Sequence, residues 1–126
     1  MNKRGRLEIK PITGSDSQVY VPVDVPSQIL GKQQKLKSIT VTYRVNNTGS
    51  RIDDTRIQSV DSTGTMTDLI ADTSDRTSTS WNTYTLNTGT PPNINGSISI
   101  RFSLIFSGSG TAGEIYVGMI NLTIGE

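Results

Sequence analysis

Hydrolytic or transfer chemistry needs an activated nucleophile or a pair of acids, and this sequence is thinly supplied with either. It contains no histidine and no cysteine. The first absence removes the commonest general base, the usual activator of a serine and the commonest zinc ligand. The second removes a thiol nucleophile, a thiolate metal site and any disulfide framework. Two carboxylates alone can hydrolyse a glycoside, and the candidates are Glu8, Asp53, Asp54, Asp61, Asp68, Asp72, Asp75 and Glu114. Most of them border turn-forming residues, where Asp bonds to nearby backbone amides, so they read as solvated or turn-forming groups. A serine–lysine dyad has no spacing to support it. The expectation is a chain without enzymatic activity.

Three further patterns carry possible ligand chemistry. Gly108-Ser109-Gly110-Thr111-Ala112-Gly113 matches the dinucleotide fingerprint G-x-G-x-x-G. That fingerprint works where a helix opens within it, so that helix amides meet a pyrophosphate. Here Ile115 to Ile124 follows as a strand, and the chain ends before an acidic residue could reach a ribose, so the segment reads as a flexible hairpin loop. Asp72 and Asp75, with threonines beside them, could offer hard oxygens to Ca²⁺, although no EF-hand spacing exists. No other cofactor is implied. Asn46-Asn47-Thr48, Asn95-Gly96-Ser97 and Asn121-Leu122-Thr123 fit the glycosylation sequon, a chance match at this Ser/Thr content.

Aromatic side chains are the remaining candidates, because a flat exposed ring stacks on the C–H face of a sugar. The stock is Trp81, Tyr20, Tyr43, Tyr84 and Tyr116. Trp81 and Tyr84 lie three apart, so in one strand they point to opposite faces, one core and one exposed. The core is the first expectation for Trp81; as a platform for a glycan it would act with Tyr84 or Tyr43.

The elements that must position these groups are strands. At 126 residues the chain fits one domain over 1–126, with 1–6 as a basic N-terminal arm. Only 33% of residues are hydrophobic, yet they fall in short regular runs. Ser and Thr make up roughly a quarter of the chain, and threonine suits exposed strand positions. Twelve basic and eleven acidic residues leave a net charge of +1, which gives no electrostatic case for nucleic acid or an anionic membrane. Lys3, Arg4, Arg6 and Lys10 make the start basic, read as a solvated end. No apolar stretch reaches the ~20 residues a spanning helix needs, and no apolar core follows Met1 to Arg6 as in an export signal.

Eight segments read as strands. Leu7 to Ile12 ends in a Thr13-Gly14-Ser15-Asp16 turn. Val19, Val21, Val23 and Val25 share a face, and Pro22 among them marks an edge strand or bulge. Pro26 to Lys37, anchored by Ile29, Leu30 and Leu36, reads as a covering loop with at most a helical turn. Ile39 to Val45, Arg51 to Val60, Met66 to Ile70, Trp81 to Leu86 and Ile98 to Phe106 follow, separated by turn residues. In Glu114 to Ile124, Tyr116, Ile120, Leu122 and Ile124 lie on one face while Ile115, Val117 and Met119 make the other apolar too. Two apolar faces suggest burial on both sides, under a loop or another subunit.

Trp81-x-x-Tyr84-x-Leu86, the Ile98 to Phe106 strand, the Gly/Ser hairpin and Ile115-Tyr116-Val117-Gly118-Met119-Ile120-x-Leu122 resemble the closing strands of jelly-roll domains. Such domains occur in carbohydrate-binding modules and in phage tail-fibre or capsid-decorating proteins. The resemblance implies an all-β, eight-stranded antiparallel sandwich. It departs from the binding modules where Gly118 replaces an expected Asp and where exposed aromatics are few. The leading expectation is therefore a non-catalytic phage virion component, assembled in a host cytoplasm with other virion or surface-fibre proteins. It would self-associate through a patch of Ile115, Val117 and Met119, and Val117→Asp would then release a folded monomer. The alternative is a carbohydrate-binding module or adhesin domain of a larger extracellular protein, with Trp81, Tyr84 and Tyr43 as its glycan platform.

Overall fold

The computed structural model describes residues 2–3, 6–9, 17–108 and 110–126, with side chains at 9, 17–108 and 110–126. Met1, Arg4 and Lys10 of the basic start, the Thr13-Gly14-Ser15-Asp16 turn and Ser109 lie outside the described residues. Eight strands form the body: β1 (Arg6–Ile9), β2 (Ser17–Val23), β3 (Lys35–Val45), β4 (Arg51–Val60), β5 (Met66–Asp72), β6 (Asn82–Asn87), β7 (Ser97–Ile105) and β8 (Ile115–Gly125). One sheet runs β1-β8-β3-β6, with Asn2–Lys3 paired beyond β1, and the other runs β2-β7-β4-β5. All neighbours are antiparallel. This order, in which the last strand lies beside the first and the seventh beside the second, is the jelly roll.

The alternation in the sequence sets which face is dry. Ile39, Val41, Tyr43 and Val45 of β3 meet Ile98, Ile100, Phe102 and Leu104 of β7 in one cluster, and all are buried. Val19, Val21 and Val23 of β2 pack on it from the edge, as the valine alternation predicts. Among the described residues β2 pairs only with β7, which is the edge position that Pro22 requires.

Two segments depart from the pattern. Pro26 to Lys37 is not a covering loop with a helical turn. Gln28–Ile29 and Lys32–Gln33 form a small hairpin whose tip, Leu30 and Gly31, takes φ of 52° and 76°. Such a two-residue turn needs positive φ at both positions, which glycine accepts and Leu30 accepts at a cost. Ile29 and Leu30 are exposed there, so of the three expected anchors only Leu36 enters the core.

The second departure is in β8. Val117 pairs with Tyr43 and Ile120 with Val41, so Gly118 and Met119 together oppose Thr42 alone. This β-bulge changes the phase of the strand by one residue. Before it, Ile115 and Val117 face the core; after it, Ile120, Leu122 and Ile124 do. The two-faced apolar strand expected from the sequence therefore does not exist.

Candidate functional site

The outer face of the β1-β8-β3-β6 sheet carries an aromatic shelf at one end. Trp81 immediately precedes β6 and is exposed; Tyr116 follows the first residue of β8, lies outside the core cluster and is itself buried at 5% exposure. Their ring centroids are 6.3 Å apart at 49°. Arg44, between the inward-facing Tyr43 and Val45 on β3, lays its guanidinium 4.6 Å from the Tyr116 centroid and 5.7 Å from that of Trp81. Behind the shelf Tyr116 donates to Glu114 and accepts from Asn46 Nδ2 at 3.1 Å. Trp81 remains 44% exposed and Met119, on the bulge, 63%.

From this end the face continues as a polar surface. Thr42 and Thr83 share a hydroxyl bond of 3.0 Å, and Thr40 and Thr85 one of 2.9 Å. Asn121 pairs in register with Thr40, and its side chain is exposed. An exposed ring next to a row of hydroxyl and amide groups offers an apolar surface beside hydrogen-bonding groups of both senses.

The opposite outer face, on β2-β7-β4-β5, is a ladder of paired charges. Asp54 Oδ2 receives Arg56 Nε at 2.8 Å and Arg101 Nη2 at 2.7 Å. Arg56 Nη1 reaches Asp68 Oδ2 at 2.7 Å, and Gln58 Nε2 reaches its other oxygen at 2.8 Å. Hydrogen bonding from Gln58, then from Arg56, holds the Asp68 carboxyl below the usual range. Asp54 Oδ1, Gln58 Oε1 and Arg101 Nε are covered and have no partner among the described residues. Tyr20, at the β2 edge of this face, is exposed and donates to Gln18.

The predicted site residues are thus split. Trp81, expected first in the core, lies on the surface. Tyr84 and Tyr43 are buried at 6% and 3% exposure and stack edge to face at 5.6 Å, so neither is a platform. Their hydroxyls serve the interior, Tyr84 sharing a bond with Thr55 Oγ1 at 2.9 Å and Tyr43 accepting from the Ser78 amide at 3.0 Å. Ile115 and Val117 are 0% and 1% exposed and belong to the core, so the three-residue apolar patch shrinks to Met119.

Among the ligand candidates, Asp72 accepts from Arg76 at 2.9 Å and Asp75 sits 3.5 Å from Arg51. Among the described residues no group of three acidic side chains gathers as a metal site. Within the Gly-rich segment, Gly110–Gly113 forms a 3-10 turn where a flexible hairpin loop was expected. Asn46 Nδ2 holds the Thr111 carbonyl at 2.5 Å, and Asn47 Nδ2 holds those of Ser107 and Ala112 at 2.7 and 2.6 Å. Among the described residues no helix is long and apolar enough to cross a membrane. Sequence reasoning missed Arg44, whose only signal was a cation in the outward phase of β3, opposite Tyr116.

No family model matches the chain, and no curated protein does. A solved structure described as "CBM4 structure and function" superposes with a TM-score of 0.56 at 17% identity, over 98% of this chain and 74% of that one. That likeness establishes the fold, a β-sandwich of the kind seen in a carbohydrate-binding module. It gives the tail-fibre half of the expected resemblance no support.

Proposed function

We propose that this chain is a non-catalytic glycan-binding module, taking a saccharide on the outer face of the β1-β8-β3-β6 sheet with Trp81 as its stacking platform. The observation that carries the reading is the half-exposed Trp81 ring, held against Tyr116 and Arg44 at the head of a row of threonine hydroxyls. A fixed ring loses little freedom when a sugar settles on it, which is the energetic advantage of a preorganised site. The likeness to the CBM4 structure supports this reading over assembly into a virion, as does the loss of the apolar patch that motivated assembly. A place as one domain of a larger extracellular protein goes with it.

The test uses the protein's single tryptophan as reporter. Titration with a broad panel of neutral and acidic polysaccharides should shift or quench its emission for at least one class. Trp81→Ala should abolish binding of that class, measured by calorimetry, with an unchanged melting curve. Silence across the panel, or full binding by Trp81→Ala, would sink the proposal.

A further inference from the structure

The five arginines with described side chains are not treated alike. Arg51 pairs with Asp53 and Asp75, Arg56 with Asp54 and Asp68, Arg76 with Asp72, and Arg101 with Asp54. Arg44 alone makes no ion pair and no hydrogen bond among the described residues, and its Nε is covered without a partner. What holds it is the pair of rings at 4.6 and 5.7 Å. Ring faces attract a cation, yet they leave the fork of guanidinium donors unused. Glu114 is buried, and its carboxylate accepts from the Tyr116 hydroxyl. Glu8 pairs in register with Tyr116 on the side away from β3. A planar, unpaired fork beside an exposed indole is a site for a planar anion attached to a flat ring.

We infer that the shelf selects an anionic sugar, a uronic acid whose pyranose ring stacks on Trp81 while its carboxylate meets the Arg44 guanidinium. The inference rests on the glycan-binding reading and names the ligand class for that site. The charges of the opposite face do not compete, because each of its arginines already has an aspartate. Arginine suits the task better than lysine, since its fork matches both oxygens of a carboxylate at once.

Calorimetric titration with oligomers of galacturonate, mannuronate and glucuronate, each against its own methyl ester, isolates the charge from the sugar. At least one acid should bind roughly 10- to 100-fold more tightly than its ester, as expected for a charge-assisted bidentate contact. That preference should weaken with added salt. Arg44→Gln should erase the preference and Arg44→Lys keep part of it, with folding checked by circular dichroism. Equal binding of every acid and its ester to the wild type overturns the inference, and so does a preference that survives Arg44→Gln. In either case, Trp81-dependent binding of neutral glycans leaves the module reading standing. Only silence toward acids, esters and neutral glycans together removes both.

Discussion

The Trp81 ring lies over Gly118: a β-carbon at position 118 would stand 3.2 Å from the ring's Cζ3 and 3.5 Å from the Thr42 carbonyl oxygen. The bulge in β8 and the platform are therefore one construction. Gly118 occupies the bulge, its missing side chain lets the indole lie close to the strand, and Arg44 and Tyr116 lie against the same ring. A glycine used for close approach has a definite meaning within a strand.

Gly118→Val should lift the indole off the sheet while leaving the core, which it does not touch, in place. The expected outcome is a shifted Trp81 emission maximum and at least about tenfold weaker glycan binding, equivalent to about 1.4 kcal/mol. The melting temperature should fall by no more than a few degrees, corresponding to about 1 kcal/mol in a domain of this size. An unchanged emission spectrum in the variant would show that the ring does not rest where the structure puts it.

Alternation carried most of the fold. The strict phase of Ile39 to Val45 and of Ile98 to Phe106 places the core from sequence alone, and Pro22 locates an edge. The candidate site was legible only in part, because its position depends on a single extra residue in β8. A bulge leaves no composition signal beyond a glycine, and without it Ile115, Val117 and Met119 fall on one face. The same slip hid the role of Tyr116, which reads as a companion of Ile120 and Leu122 until the phase change separates them. Arg44 was invisible because pairing across β3 and β8, not spacing along the chain, brings it to the rings. Trp81 was misplaced because it stands just before β6, where a large apolar ring can lie outside the sandwich.

The phase change also reverses what Val117→Asp should do. Val117 is 1% exposed and Met119 63%. A carboxylate at 117 would be buried without a partner, a loss of more than about 4 kcal/mol and a large share of the net stability of such a domain. The variant should unfold or melt far below the wild type, with no folded monomer released from an oligomer. Met119→Asp should change stability by no more than about 0.5 kcal/mol. Denaturant titration of the two variants, with solution mass by light scattering, checks both. A folded, lighter Val117→Asp would restore the assembly interface and overturn the bulge assignment.

Alkaline pH tests the interior. Burial, opposed in part by the hydrogen bond with Thr55, pushes the Tyr84 hydroxyl well above its usual value near 10. The unfolded chain ionises this tyrosine from about pH 10 upward while the native protein keeps it protonated, so the native state binds more protons there. Stability attributable to Tyr84 is therefore complete below pH 10 and declines as pH rises, by at most about 1.4 kcal/mol per unit. Tyr84→Phe should be less stable than wild type at pH 8 by about 1 to 2 kcal/mol, because Thr55, fully buried, loses its partner. The variant lacks this group's alkaline slope, so the two stability curves should converge about one unit above pH 10. Parallel curves from pH 8 to pH 12 in urea titrations would show that Tyr84 ionises as freely in the native protein as in the unfolded chain.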